Sequence, residues 1–453
     1  MDWLGKKVAV VGMGLSNVPL ARYLVHKGAS VTGFDRKDAD GIRAAYDELS
    51  RLGVDFSLGP GYLDRLVGFH TVFLTPGMKK DLPQIIAARE SGSEISSETR
   101  LFFDLCRATI VGVTGSAGKT TTTTLTGEFL KRDGTRRVWV GGNIGNPLIE
   151  KVEEIPVDSI VVLELSSFQL QTVDRSPGVS IITNISPNHL DVHSSMDEYI
   201  EAKKNIFRFQ SGGDVAVLNA DNPVTAGMAG DCPAGVLMFS RRNRASGAYV
   251  DGGRIVLGFG GGESVIPVKD IRIPGLHNVE NALAASTAAA WLGAKPGDIA
   301  AVLRTFPGVE HRLELVREKD GVRFYNDSIA TAPDRTIAAL NTIEGPKVLI
   351  LGGYDKHLPF DELGREVVDK VEAVVTVGAT AAKIEKAIEE AAAAAGKGPL
   401  VTRCSTFAEA VEAAAARARP GCSVLLSPAC ASYDLFRNFE ERGRLFKELV
   451  TRL

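Results

Sequence analysis

The chain has 453 residues, of which 24% are charged and 44% hydrophobic, and its formal net charge at pH 7 is −3. A chain of this length forms two to four domains, each able to bury a core of its own. A net charge near zero provides no broad basic surface, so the composition argues against a nucleic-acid-binding protein, and any anion site must be local.

The cysteines and the apolar segments indicate the cellular compartment of the protein. Five cysteines are spread along the chain without a CxxC pair, which favours reduced thiols over a disulfide framework. No segment approaches the roughly 20 apolar residues that a membrane span needs, and the first apolar run is too short for a signal peptide. These features predict a cytoplasmic protein with no membrane attachment.

The N-terminal segment alternates strand and helix patterns, beginning with KKVAVVGMG. Gly12 and Gly14 follow the first predicted strand, and Asp35 ends the next. This arrangement is typical of dinucleotide-binding domains, although Asn17 stands where their third glycine is expected. We predict a Rossmann-like domain that either holds some nucleotide diphosphate or has no ligand.

A second strand, glycine turn and helix begin at ATIVGVTGSAGKTT. Gly115 and Gly118 allow backbone N–H groups to turn towards phosphate oxygens, Lys119 can reach the β- and γ-phosphates, and the Thr120 hydroxyl can ligate Mg²⁺. The strict phosphate-loop pattern fails because Val113 occupies its first glycine position. The alternative is an ordinary strand-to-helix turn with a surface lysine, and we favour the ATP site.

Further candidate ligands follow two later strands of this segment. Glu164 ends the apolar run IVVLE, and His189 follows VSIITN. Carboxyl ends of parallel strands meet at one edge of a sheet, where ligands bind, so a Mg²⁺ site is predicted there. Lys203 and Lys204 lie on a helix predicted over 197–209, where a solvated face is the alternative to a functional role.

A third series of strands begins near Gly345 with PKVLILGG, VEAVVTVGA and CSVLLSPA. The predicted fold is therefore α/β with three domains. Residues 1–98 form a Rossmann-like N-terminal domain, 99–307 a central P-loop ATPase-like domain with a mostly parallel sheet, and 308–453 a C-terminal Rossmann-like α/β domain.

Motifs in all three segments resemble those of the Mur ligases, which are ATP-dependent amino-acid ligases of peptidoglycan precursor synthesis. They include TGSAGKTTT, GGNIGNP, NISPNHLDVH, GLHNVENALAA, EHRLE and LGGYDKH. LELSSFQL and SPACASYDLFRNFEERG are typical of the glutamate-adding branch of the family.

The resemblance implies that the first domain holds the UDP portion of UDP-N-acetylmuramoyl-L-alanine. The implied UDP-substrate residues are Leu15, Ser16, Asp35, Arg36, Thr75, Gly77, Asn143 and Ser166. The implied ATP-binding residues are Gly115, Ser116, Ala117, Gly118, Lys119, Thr120, Thr121, Asn278, Asn281, Arg312 and Asp327.

The metal and acceptor sites are implied in the same way. Two Mg²⁺ ions would be held by Thr120, Glu164, His189 and Lys203, the last as a carbamate. Glutamate would contact Thr331, Lys356, Ser432 and Phe439. Lys119, His189 and Lys203 would be the catalytic residues. The spacing from Tyr199 favours Lys203 over its neighbour Lys204 as the carbamylated lysine.

The implied reaction passes through an acyl phosphate of the alanine carboxylate, which the glutamate amine then attacks. The family resemblance also implies a monomer. Ile329 departs from the family, which commonly has lysine there (DSKAT), so L-glutamate remains an alternative to D-glutamate as acceptor. The sequence also leaves open another Mur or folylpolyglutamate-type ligase, a nicotinamide-dependent dehydrogenase, and a nucleotide-binding switch without ligase activity.

Overall fold

The computed structural model describes residues 2–143, 147–186, 195–356 and 358–453. They fall into two compact units. Unit 1 extends to Ile271 and adds His277–Arg304, and unit 2 consists of Arg272–Leu276 and Thr305–Leu453.

The first sheet of unit 1 is parallel throughout, in the order β3-β2-β1-β4-β5. Its strands are β1 (Lys7–Val11), β2 (Ser30–Asp35), β3 (Asp55–Leu58), β4 (Thr71–Leu74) and β5 (Glu94–Ser96). Its helices are α1 (Asn17–His26), α2 (Arg43–Arg51), α3 (Pro83–Glu90) and α4 (Glu98–Leu105), with a 3₁₀ turn at Asp40–Ile42.

The second sheet is also parallel, in the order β11-β10-β9-β6-β8-β7. Its strands are β6 (Thr109–Thr114), β7 (Val138–Gly142), β8 (Ile160–Glu164), β9 (Val179–Ile182), β10 (Val215–Asn219) and β11 (Gly235–Phe239). Its helices are α5 (Lys119–Asp133), α6 (Ser167–Leu170), α7 (Met196–Arg208) and α8 (Pro223–Gly227), with 3₁₀ helices at Ile149–Glu154 and Met228–Asp231. Every residue of β8, β9 and β10 is buried, as expected of strands covered on both faces.

A small antiparallel sheet and two helices complete unit 1. They are β12 (Ala248–Asp251), β13 (Arg254–Leu257), β14 (Ser264–Pro267), a 3₁₀ turn at Val268–Asp270, α9 (Leu276–Trp291) and α10 (Pro296–Thr305). The first residue of α9, Leu276, and the last residue of α10, Thr305, are counted with unit 2. One apolar core runs from the first sheet to the second through α4 and the 3₁₀ helix 149–154. Arg22 pairs with Glu150 and Lys27 with Glu153 at the rim of this contact.

Unit 2 is a mixed sheet in the order β15-β16-β20-β17-β18-β19, in which the β15–β16 pair alone is antiparallel. Its strands are β15 (Glu314–Lys319), β16 (Val322–Asn326), β17 (Lys347–Leu351), β18 (Ala373–Thr376), β19 (Leu400–Arg403) and β20 (Ser423–Leu426). Its helices are α11 (Pro333–Thr342), α12 (Asp361–Lys370), α13 (Ala381–Ala395), α14 (Phe407–Arg417) and α15 (Phe439–Arg452). Separate apolar cores involve the helices on each side of the sheet.

The predicted α/β class is confirmed, and the helix predicted over 197–209 is α7, Met196–Arg208. The antiparallel sheet β12–β14 and the antiparallel strand β15 were not predicted. The boundary near residue 98 stays a prediction, since unit 1 contains both parallel sheets. Within the described ranges, no helix is both long enough and apolar enough to cross a membrane.

Gly364 on α12 provides a test of helix packing in unit 2. A Cβ atom at this position would lie 2.5 Å from the Ala387 carbonyl oxygen on α13. Alanine is favoured over glycine in a helix by about 1 kcal/mol, whereas overpacking costs about 1–3 kcal/mol. We therefore expect Gly364→Ala to lower the free energy of unfolding of the full chain in urea, by up to about 2 kcal/mol.

Gly297 on α10 is the control, because no heavy atom lies within 4 Å of a Cβ built there. Gly297→Ala is expected to leave the unfolding free energy unchanged or slightly raised. Equal effects of the two substitutions would contradict the packing argument.

Candidate active site

The glycines of the predicted phosphate loop are required by close contacts. Residues 115–118 join β6 to α5, and Gly115 and Gly118 adopt φ of 151° and 81°. A Cβ atom would lie 1.9 Å from Thr183 Oγ1 at position 115 and 2.1 Å from Asn281 Oδ1 at position 118. Side chains other than hydrogen are therefore excluded at both positions.

Residues after β9 hold this loop in place. The N–H groups of Ser116 and Ala117 donate to the backbone and side-chain oxygens of Asn184, at 2.8 and 3.0 Å. Thr183 Oγ1 donates to the Ala117 carbonyl at 2.6 Å. The loop is therefore bonded to the end of β9, and the first turn of α5, where Thr120 and Thr121 lie, offers its N–H groups to an anion.

Lys119 begins α5 and folds back over the loop. Its Nζ atom donates to the carbonyl oxygens of Gly115 and Ser116, at 3.0 and 3.3 Å. An ammonium group therefore lies at the carboxyl end of β6, as a phosphate-binding lysine requires.

Lys203 is buried beneath the same loop, with 1% of its surface exposed. Its Nζ atom donates to Thr114 Oγ1 at 3.1 Å and to the Gly115 carbonyl at 3.0 Å, and lies 4.6 Å from the centre of the Tyr199 ring. Burial, reinforced by the charge of Lys119 and opposed by that of Glu164, holds the pKa of Lys203 well below its usual range.

Lys204 lies on a more exposed face of α7. It forms ion pairs with Glu201 at 2.9 Å and Asp231 at 2.8 Å, which raise its pKa. Of the two neighbouring lysines, Lys203 is thus the one beside the phosphate loop.

Glu164 ends β8, opposite Val113 of β6, and is 3% exposed. Asn143 Nδ2 donates to its Oε1 atom at 3.1 Å. Its Oε2 atom is buried and has no hydrogen-bond partner within the described ranges. A buried carboxylate oxygen without a donor fits a cation ligand. His189, the other predicted metal ligand, lies outside the described residues.

The predicted adenine residues lie beside the loop. Asn278 and Asn281 are on the first turns of α9, and Asn281 Nδ2 donates to Asn278 Oδ1 at 3.1 Å. Asn281 Oδ1 also accepts a hydrogen bond from Thr122 Oγ1 at 3.4 Å. The two amides are therefore linked to α5.

The first sheet presents the predicted UDP residues at its carboxyl edge. Asp35 accepts the N–H groups of Met13 and Lys37, at 2.8 and 2.9 Å. Asn17 is buried, and its side chain donates to the Val11 carbonyl at 2.9 Å. This hydrogen bond gives asparagine a structural role at the position where dinucleotide-binding sites have their third glycine.

The remaining UDP residues have less definite partners. Leu15 is 93% exposed, and Arg36 and Gly77 are exposed. Thr75 follows β4, and its N–H donates to the Val11 carbonyl at 2.9 Å. Ser166 caps α6 in a reciprocal pair with Gln169.

In unit 2, Asp327 accepts the Leu313 N–H at 3.2 Å and the Ser427 hydroxyl at 2.7 Å. Burial raises its pKa to about 7. Arg312 lies between His311 and Leu313, whose φ values of 63° and 43° are left-handed. Positive φ values in non-glycine residues are strained, and such residues cluster at functional sites.

The four predicted glutamate residues occur on adjoining loops of unit 2. Lys356 Nζ contacts the carbonyl and hydroxyl oxygens of Thr331, at 3.3 and 3.4 Å. Ser432 is buried and follows β20, and Phe439 begins α15. Ile329, the departure from the family motif, is half-buried, and its N–H donates to the His311 carbonyl at 3.2 Å.

Glu310, His311 and Glu314 could in principle bind a metal ion. Lys447 already contacts both carboxylates, at 3.1 and 2.6 Å, and Asn326 Nδ2 contacts His311 Nδ1 at 2.9 Å. The cluster is therefore satisfied by groups of the protein itself.

Several residues of the site were missed from the sequence. Asn184 and Thr183 could have been found from the polar residues directly after the VSIIT strand. Arg442 of α15, which donates to the Ser328 and Cys430 carbonyls near the predicted glutamate residues, was missed as well, because nothing within the motif SPACASYDLFRNFEERG distinguishes it from the neighbouring charged residues.

The sequence matches three family models. These are "Mur ligase MurD-like, N-terminal domain" over residues 6–97, "Mur ligase middle domain" over 113–289, and "Mur ligase, glutamate ligase domain" over 311–430. The chain belongs to the Mur ligase family.

Curated relatives of this Mur ligase match along its length. A UDP-N-acetylmuramoylalanine–D-glutamate ligase of Symbiobacterium thermophilum is 52% identical over 99% of both chains. One of Acetivibrio thermocellus is 51% identical over 98% of this chain and 96% of its own.

Solved structures share the fold. The UDP-N-acetylmuramate-alanine ligase MurC of Thermotoga maritima has a TM-score of 0.61 at 20% identity, over 99% of both chains. MurF of Acinetobacter baumannii has a TM-score of 0.59 at 18% identity, over 86% of this chain and 92% of its own. The predicted resemblance to the Mur ligases is confirmed.

Asp327 gives this Mur ligase a pH-dependent stability. Its pKa in the fold, about 7, exceeds the usual aspartate value, so stability is lost as pH rises from about 4 through 7. Asparagine resembles the neutral acid. In urea unfolding, we expect the stability gain of Asp327→Asn over the wild type to be larger at pH 8 than at pH 5, by on the order of 1–3 kcal/mol.

A stability difference between the two proteins that is equal at pH 5 and pH 8 would show that Asp327 does not titrate in this range.

Proposed function

We propose that this protein is an ATP-dependent ligase that joins D-glutamate to UDP-N-acetylmuramoyl-L-alanine in cytoplasmic peptidoglycan precursor synthesis. The observation that carries the proposal is the 52% identity, over 99% of the chain, to a protein named for this activity. The relatives' names specify D-glutamate, so ligation of L-glutamate and the reactions of different Mur or folylpolyglutamate-type ligases are less favoured.

The reaction has two steps. The alanine carboxylate attacks the γ-phosphorus of ATP, which gives an acyl phosphate and ADP. The glutamate amine then attacks the acyl carbon, phosphate leaves, and the amine gives up a proton as the amide forms. Positioning and charge stabilisation suffice for such a transfer, so the protein need not provide a nucleophile.

The phosphate loop supports the ATP assignment. Its glycines admit no side chain, and Lys119 lies at the start of α5, where an anion is attracted by the helix N-terminus. We propose that Lys119 exchanges the Gly115 and Ser116 carbonyls for phosphate oxygens when ATP binds. Asn278 and Asn281 would bind the adenine, and Arg312 and Asp327 would complete the ATP site.

We propose Thr120, Glu164, His189 and a carbamylated Lys203 as ligands of two Mg²⁺ ions. The partnerless Oε2 atom of Glu164 supports this assignment. When bound, Mg²⁺ offsets charge on the transferring phosphoryl group.

Carbamylation of Lys203 follows from its environment. A lowered pKa leaves a larger fraction of the amine neutral, and a neutral amine adds to CO₂. The new N–C bond gives a carbamate anion and releases one proton to water. An anion there would relieve the repulsion between Lys203 and Lys119.

We further propose a monomer with a nucleotide-sugar site at the carboxyl edge of the first sheet. This site would use Leu15, Ser16, Asp35, Arg36, Thr75 and Gly77, together with Asn143 and Ser166. The buried Asn17 supports a ligand other than a dinucleotide, since it fills the space that a third glycine would leave.

The test of the activity is phosphate release from ATP and Mg²⁺ with UDP-N-acetylmuramoyl-L-alanine and either D- or L-glutamate. We expect release with D-glutamate and at least 100-fold less with L-glutamate. Chelation of Mg²⁺ should abolish release, because the uncompensated triphosphate charge opposes attack. Release that depends on L-glutamate alone would reverse the acceptor assignment, and no glutamate-dependent release would overturn the proposal.

Lys203 and its neighbour provide a matched pair for the carbamate. With ¹³CO₂, the full-length protein should show a carbamate carbon signal by NMR that disappears in Lys203→Ala and persists in Lys204→Ala. Phosphate release should fall by at least about 100-fold in Lys203→Ala, since a group that stabilises transition-state charge is lost. Lys204→Ala should change it by less than about threefold, because partly exposed ion pairs contribute little.

A carbamate signal that persists in Lys203→Ala would contradict the assignment.

A further inference from the structure

Arg442 lies on the first turn of α15, yet only 2% of its surface is exposed. Its side chain reaches inward to the loops that follow β16 and β20. Nε donates to Ser328 Oγ at 3.0 Å, and Nη2 donates to the Ser328 carbonyl at 2.8 Å. Nη1 donates to the carbonyls of Cys430 and Ala431, at 3.2 and 3.3 Å. One guanidinium group thus joins two separate loops.

The loop after β17 is held to the same point. The Tyr354 N–H donates to the Ala431 carbonyl at 2.8 Å. A Cβ atom on Gly353 would lie 2.2 Å from the Ala431 oxygen and 3.2 Å from Arg442 Nη1. Ala429, with φ of 59°, bends the backbone just before the two carbonyls that Arg442 binds. Three strand-end loops therefore converge on this side chain.

These loops carry the residues proposed to bind glutamate. Thr331 lies three residues after Ser328, Lys356 follows Tyr354 by two residues, and Ser432 follows Ala431 directly. Phe439 is one helical turn before Arg442, and its carbonyl accepts the Ser328 hydroxyl at 2.7 Å. Displacement of Arg442 would therefore affect every proposed contact to the amino acid.

The charge of Arg442 is only partly offset, because the carboxylate of Asp434 is near enough to raise its pKa but accepts no hydrogen bond from it within the described residues. Every acceptor that it contacts in the described part of the chain is a carbonyl or hydroxyl oxygen. Burial lowers its pKa to about 10, which still leaves the group charged at neutral pH. Glutamate has two carboxylates and one ammonium group at that pH, so a fixed positive charge beneath its loops favours its binding.

We propose that Arg442 is a positioning residue for the amino-acid acceptor, which fixes the three loops of its site and places a buried positive charge beneath them. The inference rests on the proposed function of unit 2. It predicts a defect in glutamate use rather than in the use of ATP or of the nucleotide substrate.

The experiment compares Arg442→Met and Arg442→Lys with a matched control in the full-length enzyme. In the described ranges, Arg317 Nη1 likewise donates to carbonyls alone, those of Val450 and Thr451 at 2.8 and 2.9 Å, at the other end of α15. Arg317→Met therefore removes an arginine that anchors the same helix far from the loops.

Steady-state phosphate release gives kcat and KM for each substrate. We expect Arg442→Met to raise the KM for D-glutamate by about 10- to 100-fold, the range of one lost charge-assisted contact. The KM values for ATP and the nucleotide substrate should stay within about threefold. Arg442→Lys, which keeps the charge but cannot join the loops in the same way, should give an intermediate KM for D-glutamate. Arg317→Met should leave that KM unchanged.

A purely structural role would lower the fraction of active enzyme, and hence kcat, without raising the KM for D-glutamate. That result for Arg442→Met would overturn the inference. If Arg442→Met does not fold, Ser328→Ala removes the hydrogen bond from Arg442 Nε to the loop after β16 while the charge of Arg442 is retained. An unchanged KM for D-glutamate in Ser328→Ala would also overturn the inference.

Lys356→Met distinguishes a failure of the proposed function from a failure of the inference about Arg442. If wild type shows no D-glutamate-dependent release, the proposed function fails. If wild type is active and Lys356→Met raises the KM for D-glutamate while both Arg442 variants leave it unchanged, the inference about Arg442 alone fails.

Discussion

The candidate site depends on one buried amine. Lys203 Nζ lies beneath the phosphate loop, bonded to the last residue of β6 and the first residue of the loop. Burial of an ammonium group costs free energy unless the group has an anionic partner, and the positive charge of nearby Lys119 adds to the cost for Lys203. The surrounding structure must therefore fix β6, the loop and α7 together, and the same rigidity holds the phosphate-binding N–H groups in place.

Unit 2 repeats this principle with a different side chain. Arg442, like Lys203, comes from a helix and donates to backbone carbonyls where parallel strands end. Strand-end carbonyls have no ladder partner beyond the sheet, and a buried cation supplies one. Arg442 thus joins loops that belong to different strands, whereas Lys203 connects α7 to the end of one strand, β6. Arginine suits the point where two loops must be spanned, because its donors form a rigid fork.

Several parallel strands in each of the three series, α7 and the phosphate loop could be predicted from the sequence because their signals are local. Lys203 could be separated from Lys204 because Tyr199, Ala202, Lys203 and Ile206 fall on one buried face of α7 at helical spacing. The Asn184 contacts and the loop connections of Arg442 join residues far apart in the chain, and no local pattern encodes them. The antiparallel β15 was missed because its half-buried sequence ELVREK, with four charged residues, resembles a loop.

The buried ionisable groups also predict that ligand binding stabilises the fold. Glu164 retains a carboxylate oxygen without a donor within the described ranges, Asp327 is held at a raised pKa, and Lys203 at a lowered one. Each lowers the stability of the ligand-free fold relative to an apolar replacement. Ligands that supply the missing partners would recover that free energy by mass action, about 2.7 kcal/mol at a ligand concentration of 100 times Kd. The groups that make the fold less stable are therefore those through which ATP and metal ions would stabilise it.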